Sequence, residues 1–251
     1  MTMLINRNNL LSYISLLKGC GIMEARFVFG EGMVSCCEID PTKSEVISIK
    51  IPKEEFSNYV PNIVLSIDVE AFIKIIKATN KEKDIGISKD MGGNGIRLTD
   101  SGGGTSLNEI NVSEEERRVP MLTGEELLVN AGKLADTVGR LDGISVRACL
   151  KSYKNRLYVA SGNGRNSKTM CRHIELEEGM EAIEENTACY SFDLLNPVLK
   201  ELKSGCENIK IILKNDFPLK ITGEYNKAIV LYILAPMTIE KGEIDFEFGE
   251  G

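Results

Sequence analysis

The 251-residue chain contains a single histidine, His173, and its seven cysteines include no C-x-x-C pair. Metal centres built from histidine and cysteine need several such residues at short spacing, and histidine-based catalysis needs a partner at fixed geometry. His173 lies in an alternating run and is interpreted as an edge-strand residue. Because the cysteines lie mostly among Val, Ile and Leu, we expect reduced core thiols, no metal and no cofactor.

Long hydrophobic runs are also missing. The longest, residues 228–237, contains ten residues, whereas a membrane-spanning helix needs about 20. Asn8, Asn9, Ser12 and Ser15 interrupt the apolar stretch that a signal peptide would require near the N-terminus. We therefore expect an intracellular protein with no membrane partner.

An excess of positive charge is absent, since 30 Lys and Arg oppose 37 Asp and Glu and give a net charge of −7. A protein that binds nucleic acid through bulk charge is ordinarily basic. The composition, with 43% hydrophobic and 27% charged residues, is that of an ordinary globular chain. Any contact with a polyanion must therefore come from a local basic surface.

A fourfold repeat organises the chain. Apolar residues recur at helical spacing in windows that begin near Asn8, Val69, Gly132 and Leu194, which are about 62 residues apart. A short apolar strand precedes each window and three β-rich runs follow it, so each repeat is predicted as strand, helix, strand, strand, strand. Two repeats per domain predict an α+β fold with two similar domains.

The predicted domain boundaries follow from the charge-dense stretch between the second and third repeats. We expect an N-terminal domain at residues 1–112, a connecting loop at residues 113–126, and a C-terminal domain at residues 127–251 that ends in an acidic tail. The loop carries four apolar residues at positions 119–122, which need either the sheet or a partner to cover them. At helix starts, Asp68 and Asp193 are predicted caps, and Pro197 is placed in a first turn.

The predicted helices carry more basic than acidic residues, although the whole chain is acidic. Lys74, Lys77 and Lys81 lie on one face of the second helix, opposite its apolar residues. For one helix, an ordinary solvated face explains this pattern, but its recurrence in four repeats favours a shared basic lining. Such a lining suits a polyanion that is enclosed through few, weak phosphate contacts.

Several stretches resemble sliding clamps of the proliferating cell nuclear antigen (PCNA) type. Residues 215–219 (NDFPL) and 232–236 (YILAP) are similar to the family's D-x-P-L and Y-x-L-A-P motifs, and residues 159–162 (VASG) resemble its second domain. The likeness covers roughly residues 3–238. It implies the DNA clamp fold, in which paired β-α-β-β-β repeats place their helices on the inner face of a closed ring.

The resemblance also implies a function and partners. The family's rings contain three subunits, here a homotrimer or a heterotrimer, and encircle duplex DNA without sequence preference. By resemblance, the protein is a processivity factor and not an enzyme. It would bind DNA polymerase, clamp loader, flap nuclease and DNA ligase through short peptide motifs in those partners. It would act with the chromosome, in the cytoplasm or nucleoid of an archaeon or in a eukaryotic nucleus.

The resemblance implies three groups of site residues. The DNA-facing cations are Lys18, Lys74, Lys77, Lys81, Arg140, Lys200 and Lys203. The pocket for partner peptides is formed by Ile39, Val46, Val119, Met121, Leu122, Pro218, Ile233, Leu234, Ala235 and Pro236. The subunit interface is formed by Thr105, Leu107, Glu109, Ile110, Lys168, Met170, Arg172 and Ile174. For Ile39, Val46 and Leu234, simple core packing is an alternative.

Two other interpretations stay open at this point. One is a small α+β hydrolase or transferase with a cleft at the domain junction. Ser15 and Lys18 satisfy an S-x-x-K pattern, but the remaining elements of a Ser/Lys hydrolase are missing, as are the glycines of a nucleotide-binding loop. The other is a checkpoint or specialised clamp subunit with the same fold but different loaders and partners.

Overall fold

The computed structural model describes residues 2–80, 83–89, 95–110, 117, 119–161, 170–177 and 180–238. The chain divides into two compact units. The first contains residues 1–119 and 225–230, and the second contains residues 120–224 and 231–251. The order strand, helix, strand, strand, strand recurs four times, with a 3-10 turn (Lys53–Glu55) and one further two-residue strand at the end of the first repeat, so the predicted α+β class and repeat are confirmed.

The first unit contains two of these repeats. Its elements are β1 (Met3–Asn6), α1 (Arg7–Gly19), β2 (Glu24–Phe29), β3 (Met33–Ile39), β4 (Glu45–Pro52), β5 (Phe56–Ser57), β6 (Ile63–Asp68), α2 (Val69–Ala78), β7 (Asp84–Lys89), β8 (Gly95–Asp100) and β9 (Gly103–Asn108). The strands run antiparallel in the orders β5-β1-β7-β8-β9 and β6-β2-β3-β4. β9 therefore lies at one sheet edge.

The second unit contains the other two repeats, except that residues 225–230, which include the last residue of one strand and the first three of the next, are grouped with the first unit. Its elements are β10 (Glu126–Asn130), α3 (Ala131–Gly139), β11 (Arg147–Lys154), β12 (Arg156–Ser161), β13 (Cys171–Glu175), β14 (Ala182–Ser191), α4 (Phe192–Gly205), β15 (Asn208–Ile212), β16 (Leu219–Tyr225) and β17 (Ala228–Leu234). The strands are ordered β13-β12-β11-β14 and β10-β15-β16-β17. β13 lies at an edge, as interpreted for His173.

Each helix packs one apolar face against the sheets and exposes the other. In α2, Phe72, Ile73 and Ile76 are buried while Lys74 and Lys77 are exposed. Burying an aliphatic or aromatic side chain of this size contributes about 1.5 to 3 kcal/mol. The apolar spacing therefore fixes which face of the helix turns away from solvent, and with it the position of the lysines.

The predicted N-cap is right for α2 and wrong for α4. The Asp68 carboxylate accepts a hydrogen bond of 2.7 Å from the Ala71 N–H, which is the expected N-cap. α4 begins at Phe192, so Ser191 precedes it and Asp193 lies inside the first turn. Pro197 is consequently the sixth helical residue, where it removes a backbone donor within the helix. The predicted start, Leu194, was two residues too late.

The expectation of seven reduced thiols is wrong for one pair. Cys149 in β11 and Cys189 in β14 face each other in the strand register, and the structure joins them in a disulfide. Their Cα atoms are 4.0 Å apart, although 40 residues separate them in sequence. The other five cysteines are not part of a disulfide. The pairing arises from strand register, which cysteine spacing in the sequence does not reveal.

Candidate functional site

The predicted DNA-facing cations lie on the exposed faces of the four helices. Lys18 is in α1, Lys74 and Lys77 are in α2, Arg140 directly follows α3, and Lys200 and Lys203 are in α4; all six are exposed. Lys81 lies outside the described residues. Helices α1 and α2 belong to the first unit, and α3 and α4 belong to the second. Both units therefore carry a cationic helical surface.

Two of these lysines have acidic neighbours. Lys74 Nζ lies 3.3 Å from Glu70 Oε1 one helical turn away, and Lys203 Nζ lies 2.5 Å from Asp136 Oδ1 of α3. Within the described part of the chain, Lys18, Lys77, Arg140 and Lys200 form no ion pair. Exposed ion pairs contribute only about 0 to 1 kcal/mol, so a phosphate can compete for the paired lysines. The surface is weakly cationic.

Arg7 has a structural role that sequence reasoning missed. It is buried at the start of α1, and its Nε donates to the Ile76 carbonyl at 3.0 Å while Nη2 donates to the Lys77 carbonyl at 3.3 Å. These carbonyls end α2, where the helix dipole favours a cation. The sequence did contain a signal of this role. Arg7 begins α1, where the helix dipole disfavours a positive charge, so its side chain is expected to find a partner elsewhere. Arg7 therefore does not belong to the exposed cationic surface.

The predicted interface segments include β9 and β13, which each have a single neighbouring strand among the described residues and so offer a second edge as a template for another strand. In β9, Thr105 is exposed and Leu107 is half-buried. In β13, Arg172 is exposed, whereas the Ile174 side chain is buried and faces the core. Ile174 can thus offer a partner its backbone but not its side chain.

Three further interface candidates, Glu109, Ile110 and Met170, form contacts within the chain. The Glu109 carboxylate lies 3.0 Å from Lys89 Nζ and accepts a 3.3 Å hydrogen bond from the Ser66 N–H. The Ile110 N–H donates to the Ser66 carbonyl at 3.3 Å, and the Met170 N–H donates to Ser161 Oγ at 2.9 Å. Lys168 lies outside the described residues.

The first unit supplies three of the predicted pocket residues. Ile39 of β3 and Val46 of β4 face each other across the strand pair, and both are half-buried, as is Val119. Half-buried aliphatic side chains retain apolar surface that a partner can cover. These three residues are therefore compatible with peptide binding as well as with packing.

The second unit supplies the other seven pocket candidates. Met121 is 92% exposed. Four others are half-buried: Leu122, Pro218, Ala235 and Pro236. Ile233 and Leu234 of β17 are buried, at 5% and 0% exposure. Their side chains pack within the protein, in line with the core alternative for Leu234, and the accessible apolar surface comes from the other five.

A buried carboxylate shapes the turn that joins β3 to β4. Asp40 Oδ1 accepts a 2.6 Å hydrogen bond from the Glu45 N–H, and Oδ2 accepts bonds from the Thr42 N–H and hydroxyl. Burial acts to raise the pKa of Asp40, but hydrogen bonds from Thr42, Glu45 and Ser44 outweigh burial and lower it. The charged form therefore fixes the turn next to Ile39 and Val46.

Two features are absent from the described ranges, a membrane-spanning helix and a cluster of metal-ligating side chains. No described helix combines the length and the hydropathy that crossing a membrane requires. Nor do the described residues include a group of three or more His, Cys, Asp or Glu side chains arranged around a metal position. The geometry instead offers extended surfaces: cationic helices, unpaired strand edges and a partly exposed apolar loop.

These features define a class, the clamp fold of paired β-α-β-β-β repeats. Comparison identifies that fold as the one of PCNA. The chain matches A. fulgidus PCNA bound to the C-terminal region of FEN-1 with a TM-score of 0.84, at 19% identity, over 96% of this chain and 100% of that one. It matches the PCNA2-PCNA3 complex of Sulfolobus tokodaii with a TM-score of 0.78, at 16% identity, over 94% and 98%.

A sequence relative agrees with the structural match. A DNA polymerase sliding clamp of Methanococcus maripaludis is 22% identical over 224 residues, which are 85% of this chain and 89% of the relative. No protein-family model matches the chain. The resemblance to PCNA-type sliding clamps that the NDFPL and YILAP stretches carry is thereby confirmed.

Proposed function

We propose that the protein is a DNA sliding clamp, a ring-shaped processivity factor that encircles duplex DNA and tethers DNA polymerase and other replication and repair enzymes. The observation that carries the proposal is the likeness to PCNA over nearly the whole chain. Exposed cations on all four helices support it. We further propose residues 1–112 and 127–251 as the two clamp domains, with residues 113–126 as the loop between them.

The charge distribution suits a clamp that slides. The net charge of −7 opposes strong adhesion to DNA, whereas scattered lysines on the helices supply a few exchangeable phosphate contacts. Tight neutralisation of six to ten phosphates would give strong, salt-sensitive binding that resists movement. In a closed ring, retention on DNA comes from encirclement, and the cations only need to keep the duplex centred.

Partners would dock on the apolar surface around the connecting loop. The PCNA match was solved with the C-terminal region of FEN-1 bound, and we propose that polymerase, clamp loader, flap nuclease and ligase bind this chain through similar short segments. Apolar anchors supply most of the energy of such interfaces. The protein itself would act without catalysis, on chromosomal DNA in the nucleoid or nucleus.

The experiment that tests this proposal is primer extension by the cognate polymerase and clamp loader on a long template. Changing Lys74, Lys77 and Lys203 together to Ala removes three exposed helical charges. We expect shorter products at physiological salt, because the duplex loses contacts inside the ring, and an unchanged melting temperature, because all three side chains are exposed.

A matched control is available in the same chain. Lys43, Lys50 and Lys53 are exposed and lie outside the four α-helices, Lys53 at the start of a single 3-10 turn, so changing all three to Ala removes the same charge and should leave product length unchanged. Wild-type protein that fails to lengthen the products would contradict the clamp function. Equal losses in the two triple variants would contradict the assignment of the helical face to DNA.

A further inference from the structure

The connecting loop is tied to β3 by an ion pair with a buried partner. Arg117 Nη1 contacts Glu38 Oε2, and the Glu38 side chain is only 2% exposed while that of Arg117 is 29% exposed. The other carboxylate oxygen of Glu38 accepts a 2.8 Å hydrogen bond from the Arg26 N–H. Arg117 also offsets part of the rise in pKa that burial causes at Cys36 and Cys37.

Glu38 occupies an unusual position in its strand. In β3 the side chains of Val34 and Cys36 are buried and alternate with partly exposed ones, and Glu38 continues the buried series. A carboxylate in such a place is costly unless it is paired and hydrogen-bonded. Arg117 supplies the charge that Glu38 needs, so the loop residue is part of what makes this end of β3 stable.

The far end of the loop is attached within the second unit. Both carboxylate oxygens of Glu125 accept from the Ile183 N–H of β14, at 2.9 and 3.1 Å. Next to it, Gly124 runs so close to β15 that an added Cβ would lie 2.7 Å from Ile212 Cγ2. The loop therefore has one attachment on each side of the apolar residues 119–122.

The segment between the attachments carries the exposed part of the candidate pocket. Met121 is 92% exposed, and Val119 lies two residues after Arg117. On the sheet, Glu38 directly precedes Ile39, which faces Val46. A single ion pair thus joins the loop, close to its apolar residues, to the strand that carries two other pocket candidates.

We propose that Arg117 and Glu38 form a latch that positions the connecting loop for capture of a partner's short apolar peptide. The inference rests on the proposed clamp function and concerns two positioning residues that need not touch the peptide. A loop held at both ends loses less conformational entropy when a peptide binds, because part of that ordering has already taken place on folding. An opened latch should therefore weaken binding without removing any contact.

The test measures binding of a labelled synthetic peptide from the C-terminal region of the cognate FEN-1 by fluorescence anisotropy. Arg117→Gln and Glu38→Gln each break the ion pair, and we expect either to raise the Kd about tenfold, equivalent to about 1.4 kcal/mol. Glu38→Gln removes the buried charge and retains an oxygen acceptor for the Arg26 N–H. This variant should therefore fold normally, so that a change in its Kd reports on the ion pair. Lys53→Gln, at an exposed site in the same unit, is the control and should bind as the wild type does.

Hydrogen exchange gives a readout that a general loss of stability would not reproduce. In Glu38→Gln we expect faster exchange in residues 119–124 and unchanged exchange in β7 and β8. Variants that bind the peptide as tightly as the wild type would overturn the latch and leave the clamp proposal intact. A wild-type protein that does not bind the peptide would instead contradict the proposed pocket, and the latch with it.

Discussion

At the scale of single residues, buried charges decide how the candidate pocket is built. Asp40 is 5% exposed and accepts hydrogen bonds from the backbone of the turn between β3 and β4. A buried carboxylate that accepts several such bonds is stable only in its charged form. Protonation of this one group should therefore loosen the turn that sets the spacing of Ile39 and Val46.

The folded-state pKa of Asp40 is lowered, so its stabilisation is present above the unfolded pKa of about 3.9 and is lost as pH falls through the lower folded value. Asp40→Asn should reduce the free energy of unfolding by about 1 to 2 kcal/mol at pH 7, and by less at pH 3, below the unfolded pKa. Urea unfolding at both pH values measures this. Asp142→Asn, at an exposed turn, should change little, and a pH-independent cost in Asp40→Asn would refute the charge argument.

Residue roles were the least predictable part of the site. The lysines that the structure describes are exposed as expected, because helical periodicity separates apolar from charged faces. Arg7 and Glu38 were missed, since their partners lie 70 and 79 residues away in sequence. Glu38 nevertheless left a trace, because it interrupts an alternation in which every second residue of β3 is apolar.

At the scale of elements, close approach between strands depends on small residues. Gly86 of β7 lies between Leu4 of β1 and Thr99 of β8 in the strand register. A Cβ there would lie 2.3 Å from Thr99 Oγ1 and 2.7 Å from Thr2 Cγ2. These distances are too short for real contacts, so the sheet of the first unit requires glycine at this position.

Gly86→Ala should therefore lower the free energy of unfolding by about 1 to 3 kcal/mol through overpacking. Thermal or urea unfolding measures the change. Adding Thr99→Ala removes the nearest atom and should recover part of the loss. Gly32→Ala is the matched control, because no atom lies within 4 Å of its Cβ position. Equal effects of the two alanine substitutions would show that crowding is not the cause.

The elements themselves could be predicted to a large extent. The 3.6-residue period located all four helices within two residues of their observed starts, because burial of one helical face imposes it on the sequence. Strand register could not be predicted from the sequence in this way. The alternation of buried and exposed side chains along a strand is the same whichever strand lies beside it, so it does not identify the partner residues. The disulfide between Cys149 and Cys189 depends on that register, and this is why the sequence indicated only free thiols.

At the scale of the whole molecule, assembly depends on complementary edges. β9 and β13 each end a sheet, and each exposes a row of backbone groups. A head-to-tail contact between two different edges gives a ring if the rotation closes and a filament if it does not. The periodicity of the sequence contains no information about closure, which only the resemblance to PCNA supplied. The proposed ring therefore needs its own test.

Thr105 and Arg172 are exposed on the two edges, so one substitution on each edge can separate the contacts. Wild-type protein should have a native mass of three times the 27.7 kDa subunit, alone or with related subunits. Thr105→Asp or Arg172→Asp should weaken the single kind of contact and favour monomers. Because each variant retains one unaltered edge, a mixture of the two can form one good contact and should yield dimers, but not rings.

Light scattering after size exclusion distinguishes these masses, and Lys53→Asp should assemble normally. Dimers in either variant alone would contradict a head-to-tail arrangement, because only a contact between identical surfaces survives the loss of one edge.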